Sequence, residues 1–182
     1  DEILLLVSYL GEKIEDYFDD GSKFGVKIDY CYEKIPLGTA GALKNAESKI
    51  KDEFILFNGD TYLPIDYRKI IDYFHQCKAI GVVVVYGNSR EIASKNIAVN
   101  ESGLVMNYNK NNSKKMTHVD AGITAFKKSI LDFIPRNKIC SLEEDIFPKL
   151  IKAKQLYSFA TNQRFYDIGT PRELEAIKGI LK

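Results

Sequence analysis

An open α/β fold is predicted, with a doubly wound, mostly parallel sheet and an inserted antiparallel hairpin region. Three observations predict it. Short apolar runs of strand length alternate with amphipathic helical segments through the first half of the chain. Such alternation is the pattern of parallel strands covered on both faces by helices. In the second half, Asn96 to Asn100 and Leu104 to Asn109 flank Glu101-Ser102-Gly103, a hairpin signal. No repeat and no linker interrupts the 182 residues, so residues 1–182 are expected to form a single domain.

The elements follow in order. Leu4 to Val7 is an apolar run with the look of a strand buried on both faces. Glu12 to Phe18 places Ile14, Tyr17 and Phe18 on one helical face, and Gly21 is a helix stop. Val26 to Tyr32 alternates as a strand, and a turn at Pro36-Leu37-Gly38 leads into a helix through Ala42, Leu43 and Ala46. Phe54 to Phe57 reads as a buried strand, Ile65 to Cys77 as a helix with Ile70, Ile71, Phe74 and Cys77 inward, and Gly81 to Tyr86 as a strand. Beyond the hairpin, Asn109 to Lys115 is polar and reads as a mobile loop. Val119 to Phe126 is a strand, Leu142 to Ala153 a helix, and Leu156 to Ala160 and Phe165 to Asp167 are short strands. Pro171 opens a last helix at its favoured first position.

Composition narrows the function. Hydrophobic residues make up 45% and charged residues 28%, which fits a folded domain. The longest apolar runs, Ile3 to Val7 and Ile80 to Tyr86, fall far short of the roughly 18 residues of a spanning helix. Lysine and arginine total 26 against 25 acids, a net charge of +1 that gives no support to a nucleic-acid or membrane-surface partner. Cys31, Cys77 and Cys140 lie far apart without a C-x-x-C pair, as expected of reduced thiols in a cytoplasmic protein.

Three stretches carry candidate chemistry. In Glu33-Lys34-Ile35-Pro36-Leu37-Gly38-Thr39-Ala40-Gly41, two glycines at a helix start leave backbone N–H groups uncovered for a flat base or an anionic oxygen. An ordinary turn with Thr39 as helix cap is the alternative. In Phe54 to Thr61 an apolar strand ends in Gly59 and Asp60. Ligands of doubly wound sheets gather beyond such strand ends, and a carboxylate there suits Mg2+. Alternatively, Asp60 caps the following helix. In Phe165 to Pro171 a second short strand ends in Asp167, with Thr170 as a cap. Two aspartates from distant strand ends are what a Mg2+ bound mainly by substrate phosphates and water requires.

Taken together, these stretches resemble a family. Glu33 with Leu37 to Leu43, Asn58-Gly59-Asp60-Thr61, Val119-Asp120-Ala121-Gly122-Ile123 and Asp167-Ile168-Gly169-Thr170-Pro171 occur in the order seen in sugar-1-phosphate nucleotidyltransferases. The resemblance is closest to the D-glycero-D-manno-heptose 1-phosphate guanylyltransferase branch, near the mannose-1-phosphate guanylyltransferases. It implies a Rossmann-like nucleotide-diphospho-sugar transferase fold and Mg2+ as cofactor. The implied substrates are a nucleoside triphosphate, GTP favoured, and a sugar 1-phosphate, giving a GDP-heptose or GDP-mannose type of product. A homo-oligomer is compatible with it. By the same resemblance Asp60 and Asp167 are magnesium ligands and Leu37, Gly38, Thr39 and Gly41 form the nucleoside pocket, with Glu33 just ahead. Asp120 and Gly122 meet the sugar, and Lys110 meets its phosphate.

The sequence departs from the family pattern in three places. The family opens with a strand and a glycine-rich G-x-G-x-R loop around the triphosphate, which this chain does not contain. An N-terminally truncated domain, weak or inactive alone, is therefore expected. The missing segment is expected from a longer native chain, a cleaved peptide that stays bound, or a neighbouring copy. Asn109 stands where glutamate is usual, and Lys95 or Asn96 where a glycine is frequent. His75 reads as a surface residue of its helix, and His118 precedes the Asp120 strand. A catalytically idle nucleotide-sugar-binding module and a nucleotide-sugar-dependent glycosyltransferase are the competing readings. The second usually carries a D-x-D pair, whereas Asp60 is followed by Thr61 and Tyr62.

Overall fold

The structure, a computed structural model, describes residues 1–87, 93–110 and 114–181. Their contacts divide the chain into two compact units: Asp1–Asp52 with Lys128–Ile146, and Glu53–Lys127 with Phe147–Lys182.

In the first unit, β1 (Glu2–Val7) pairs in parallel with β2 (Lys27–Tyr32), from Glu2 opposite Lys27 to Val7 opposite Tyr32. The intervening α1 (Gly11–Phe18) is the crossover that parallel strands require. Leu4 to Leu6 are half-buried rather than enclosed, because β1 has β2 as its one strand neighbour among the described residues. Ile14 and Tyr17 of the expected inward face of α1 are exposed. Instead Tyr17, Phe18 and Phe24 gather their rings together, with the Lys23 ammonium over Tyr17 and Phe24. Ala40 and Leu43 of α2 (Gly38–Asn45) are buried, as are Ile130, Leu131 and Leu142 of the returning segment.

The second unit is built on a four-stranded sheet in the order β3 (Glu53–Phe57), β8 (Val119–Lys127), β5 (Gly81–Tyr86), β9 (Leu156–Thr161). Strands β3, β5 and β9 run in one direction and β8 runs against them. The fold is thus mixed α/β with a mostly parallel strand sense. Every residue of β5 is buried, as a strand with neighbours on both edges should be. On one face, α3 (Arg68–Cys77) sends Ile70 and Phe74 into a core with Leu63, Val82, Val84 and Ala121. Ile71 is left on the surface. The inserted antiparallel pair is β6 (Ile97–Val99) with β7 (Val105–Tyr108), turning through Gly103 at φ 80°.

Two expected elements shift for local reasons. The helix predicted from Ile65 begins at Arg68, because the Asp66 carboxylate accepts the Arg68 N–H and so ends the preceding turn. The helix predicted from Leu142 is a wide π turn over Leu142–Ile146 followed by α4 (Phe147–Lys152). Pro148 has no N–H to continue the earlier ladder. Of the expected mobile loop, residues 111–113 lie outside the described residues.

Candidate active site

Asp60 does not cap a helix. It leads directly into β4 (Thr61–Tyr62), a two-residue strand paired antiparallel with β10 (Tyr166–Asp167), which sets Thr61 opposite Asp167. The Ile168 N–H donates to the Asp60 carbonyl at 2.9 Å and closes this pairing. The Thr61 hydroxyl then lies 3.0 Å from Oδ1 of Asp167 and 3.3 Å from Oδ1 of Asp60. One proton thus serves two carboxylates brought from positions 106 residues apart in the case of Thr61 and Asp167. The Asp167 carboxyl is pushed above its ordinary value, first by the protein packed around it. The Thr61 bond opposes this, and the charges of Asp60 and Glu173 add to it. Beyond β10, Thr170 caps α5 (Pro171–Lys178), accepting the Glu173 N–H.

The same hydroxyl ties the acidic pair to β8. Between Val83 and Val85 of β5 the partners on β8 are Thr124 and Asp120, so β8 bulges through Ala121-Gly122-Ile123. Gly122 holds φ 72° in that bulge, and a Cβ there would meet Asn58 Nδ2 and Thr61 Oγ1, both at 2.9 Å. Its carbonyl accepts the Asn58 N–H at 2.9 Å. Gly122 is bare because the Asn58-Thr61 loop packs on it. The Asp120 carboxylate accepts the Gly122 N–H at 2.9 Å and the Tyr108 hydroxyl at 3.2 Å. The Asp120 N–H donates to Asn96 Oδ1 at 2.8 Å. Asp60, Thr61, Asp167, Gly122, Asp120 and Asn96 therefore form one continuous chain of contacts. Lys110 is exposed two residues beyond β7.

The first unit holds the other predicted residues. Glu33 Oε1 accepts the Leu37 N–H at 3.3 Å. The N–H groups expected to be uncovered at the start of α2 are partly taken: those of Ala40 and Gly41 both donate to the Cys140 carbonyl, at 2.9 and 3.2 Å. A Cβ on Gly38 would come 2.7 Å from that carbonyl, and one on Gly41 2.9 Å from the Lys138 carbonyl. These two glycines admit the returning chain. Thr39 caps the π turn rather than its own helix, accepting the Leu142 N–H at 2.8 Å while its hydroxyl donates to Glu143.

Sequence reasoning gave no role to Asn58, Thr61 or Tyr108, although the first two sit inside a quoted motif. Tyr108 carries no signal beyond strand alternation. Among the described residues no group of three or more His, Cys, Asp or Glu side chains could hold a metal ion. No helix is long and apolar enough to cross a membrane, again among the described residues.

Strand ends of an α/β fold that bring two distant aspartates together have the layout in which such sheets bind ligands. The chain belongs to the nucleotidyl transferase family, whose profile matches residues 1–181. It is 29% identical to a UTP–glucose-1-phosphate uridylyltransferase of Synechocystis, an alignment covering 100% of this chain and 52% of the relative. It is 31% identical to a D-glycero-alpha-D-manno-heptose 1-phosphate guanylyltransferase of Campylobacter jejuni, over 94% of this chain and 75% of the relative. Among solved structures, HddC from Yersinia pseudotuberculosis superposes with a TM-score of 0.81 at 27% identity, covering 100% of this chain and 79% of HddC. HddC has also been solved complexed with GMP-PN. The chain thus spans about half the length of the uridylyltransferase and about three quarters of the guanylyltransferase.

Proposed function

We propose that the protein transfers a nucleoside monophosphate from a nucleoside triphosphate to a sugar 1-phosphate, releasing pyrophosphate. GTP is the favoured donor, with a heptose or mannose 1-phosphate as acceptor. The observation that carries this reading is the convergence of Asp60 and Asp167 on the Thr61 hydroxyl. The heptose guanylyltransferase relative and the GMP-PN complex of HddC support the choice of base, and the uridylyltransferase makes UTP the comparison to run.

In this reaction a sugar phosphate oxygen bonds to the α-phosphorus as the bond to the pyrophosphate oxygen breaks. The nucleophile is already an anion, so alignment and charge compensation are the protein's tasks. Asp60 and Asp167 would hold a Mg2+ ion, and the donor set fits: two hard carboxylates sharing one hydroxyl proton, with no second side-chain donor among the described residues to relieve their repulsion. When bound, the ion would offset phosphate charge and template the reactants. Lys110 would orient the sugar phosphate, and Asp120 with Gly122 would face the sugar. Glu33, Leu37, Gly38, Thr39 and Gly41 would take the nucleoside. The three free cysteines fit a reducing cytoplasm.

The test is a pyrophosphate-release assay on the full-length protein, crossing the common nucleoside triphosphates with several sugar 1-phosphates, with Mg2+ and with chelator. Asp60→Ala and Asp167→Ala should each lower turnover at least about a hundredfold with the circular dichroism spectrum unchanged. Parent rates in both variants would overturn the assignment.

A further inference from the structure

Asn96 stands at the entry to the hairpin and is fixed on three sides. Its N–H donates to the His118 carbonyl at 3.0 Å, and its own carbonyl accepts the Asn109 N–H at 2.8 Å. Its side chain accepts the Asp120 N–H at 2.8 Å. A backbone N–H can only donate, so the atom facing it must be the carboxamide oxygen. The NH2 group is thereby turned away from the Asp120 backbone. Asn96 is half-buried, and its NH2 group has no partner among the described residues. Beside it the Asp120 carboxylate is held by Gly122 and Tyr108. Two neighbouring residues thus offer a fixed amide donor and a fixed carboxylate acceptor.

We infer that Asn96 is a sugar-specificity residue, its Nδ2 donating to a ring hydroxyl of the sugar 1-phosphate that the Asp120 carboxylate faces. This rests on the nucleotidyltransferase reading above. A hydroxyl is the group that accepts from Asn96 and donates to Asp120 at once. A deoxy carbon satisfies neither residue. The site therefore takes the hydroxylated body of the substrate and discriminates at one ring position. If Asn96 served only to latch the hairpin to β8, the carboxamide oxygen alone would be needed. Asn96→Asp separates the two roles, because it keeps an acceptor for the Asp120 N–H and removes the donor.

The experiment uses the full-length protein, its best nucleoside triphosphate, mannose 1-phosphate and the singly deoxygenated analogues of that sugar. In the parent, one analogue should lose about 10-fold in kcat/KM, the size of one hydrogen bond. Asn96→Ala and Asn96→Asp should lose a similar factor with the intact sugar and nothing further with that analogue, at unchanged KM for the nucleotide. Asn96→Asp with parent kinetics for every sugar would overturn the inference, as would a uniform loss across all analogues. If the parent turns over no pair at all, the enzymatic reading fails by itself. The Asn96 assignment is then judged by the side-chain amide signals of 15N-labelled protein titrated with mannose 1-phosphate, where unmoved Asn96 signals overturn it.

Discussion

Tyr86 ends β5 fully buried, and its hydroxyl has no hydrogen-bond partner among the described residues. Its ring meets Phe165 edge-on at 5.9 Å, so the aromatic body is well placed and the oxygen alone is stranded. An orphaned buried hydroxyl costs about 1–3 kcal/mol, and removing it leaves the ring contact intact. Tyr86→Phe should therefore raise stability by about 1 kcal/mol, or about 2–4 °C in Tm, read by thermal denaturation. A loss of stability would mean that the oxygen is satisfied after all. Asn96 is the opposite case at this scale. Its oxygen is satisfied and its nitrogen has no partner among the described residues, which is why it carries a functional inference and Tyr86 a stability one.

At the scale of elements, the bulge in β8 does the positioning. It re-aims Asp120, bares Gly122 and gives the Asn58-Thr61 loop a floor. Gly122→Ala would pay both a left-handed backbone penalty of about 1–2 kcal/mol and a clash with Asn58 and Thr61. Gly25→Ala provides the control: it has the same φ of 72° but nothing within 4 Å of the added carbon. The expected result is that Gly25→Ala costs only the backbone penalty and leaves pyrophosphate release intact, whereas Gly122→Ala is less stable and loses activity through displaced Thr61. Equal behaviour of the two variants would show that the Asn58-Thr61 loop yields freely. The aspartates themselves were legible in the sequence because each follows an apolar strand, a local pattern. Their meeting was expected only through the family resemblance, since β4 and β10 are two residues long and too short for any periodicity to register. Gly38 and Gly41 carry a second demand of the same kind. A glycine pair at a helix start reads as ligand space, and this pair also admits Lys138 and Cys140, about a hundred residues away, which no local pattern announces.

Across the whole molecule, the response to acid has one contributor near neutrality that can be assigned. The His118 imidazole is held below its ordinary value of 6.5, first by burial and then by the Lys95 charge. The unfolded chain therefore takes up this proton more readily than the native one. Stability is whole above pH 6.5 and falls as pH drops through the interval from 6.5 to the lower native value. Thermal denaturation at pH 7.5 and 5.5 should show a smaller loss for His118→Gln than for the parent; equal losses would remove His118 as a source. Strand sense, hairpin and helix count were foreseeable from alternation, whereas the half-burial of Leu4 to Leu6 depends on which strands flank β1 and is written in no local pattern.

The latch of Thr39 on Leu142 spans 103 residues, and the first unit is assembled from two separate stretches of chain. A polypeptide leaving the ribosome exposes its leading end first. The turn from Leu37 to Gly41 must then wait, without the carbonyl of Cys140 to receive its amides, until the translation machinery has delivered nearly the entire intervening insert. Nascent chains released before that point would carry this turn unlocked and offer it to chaperones or proteases.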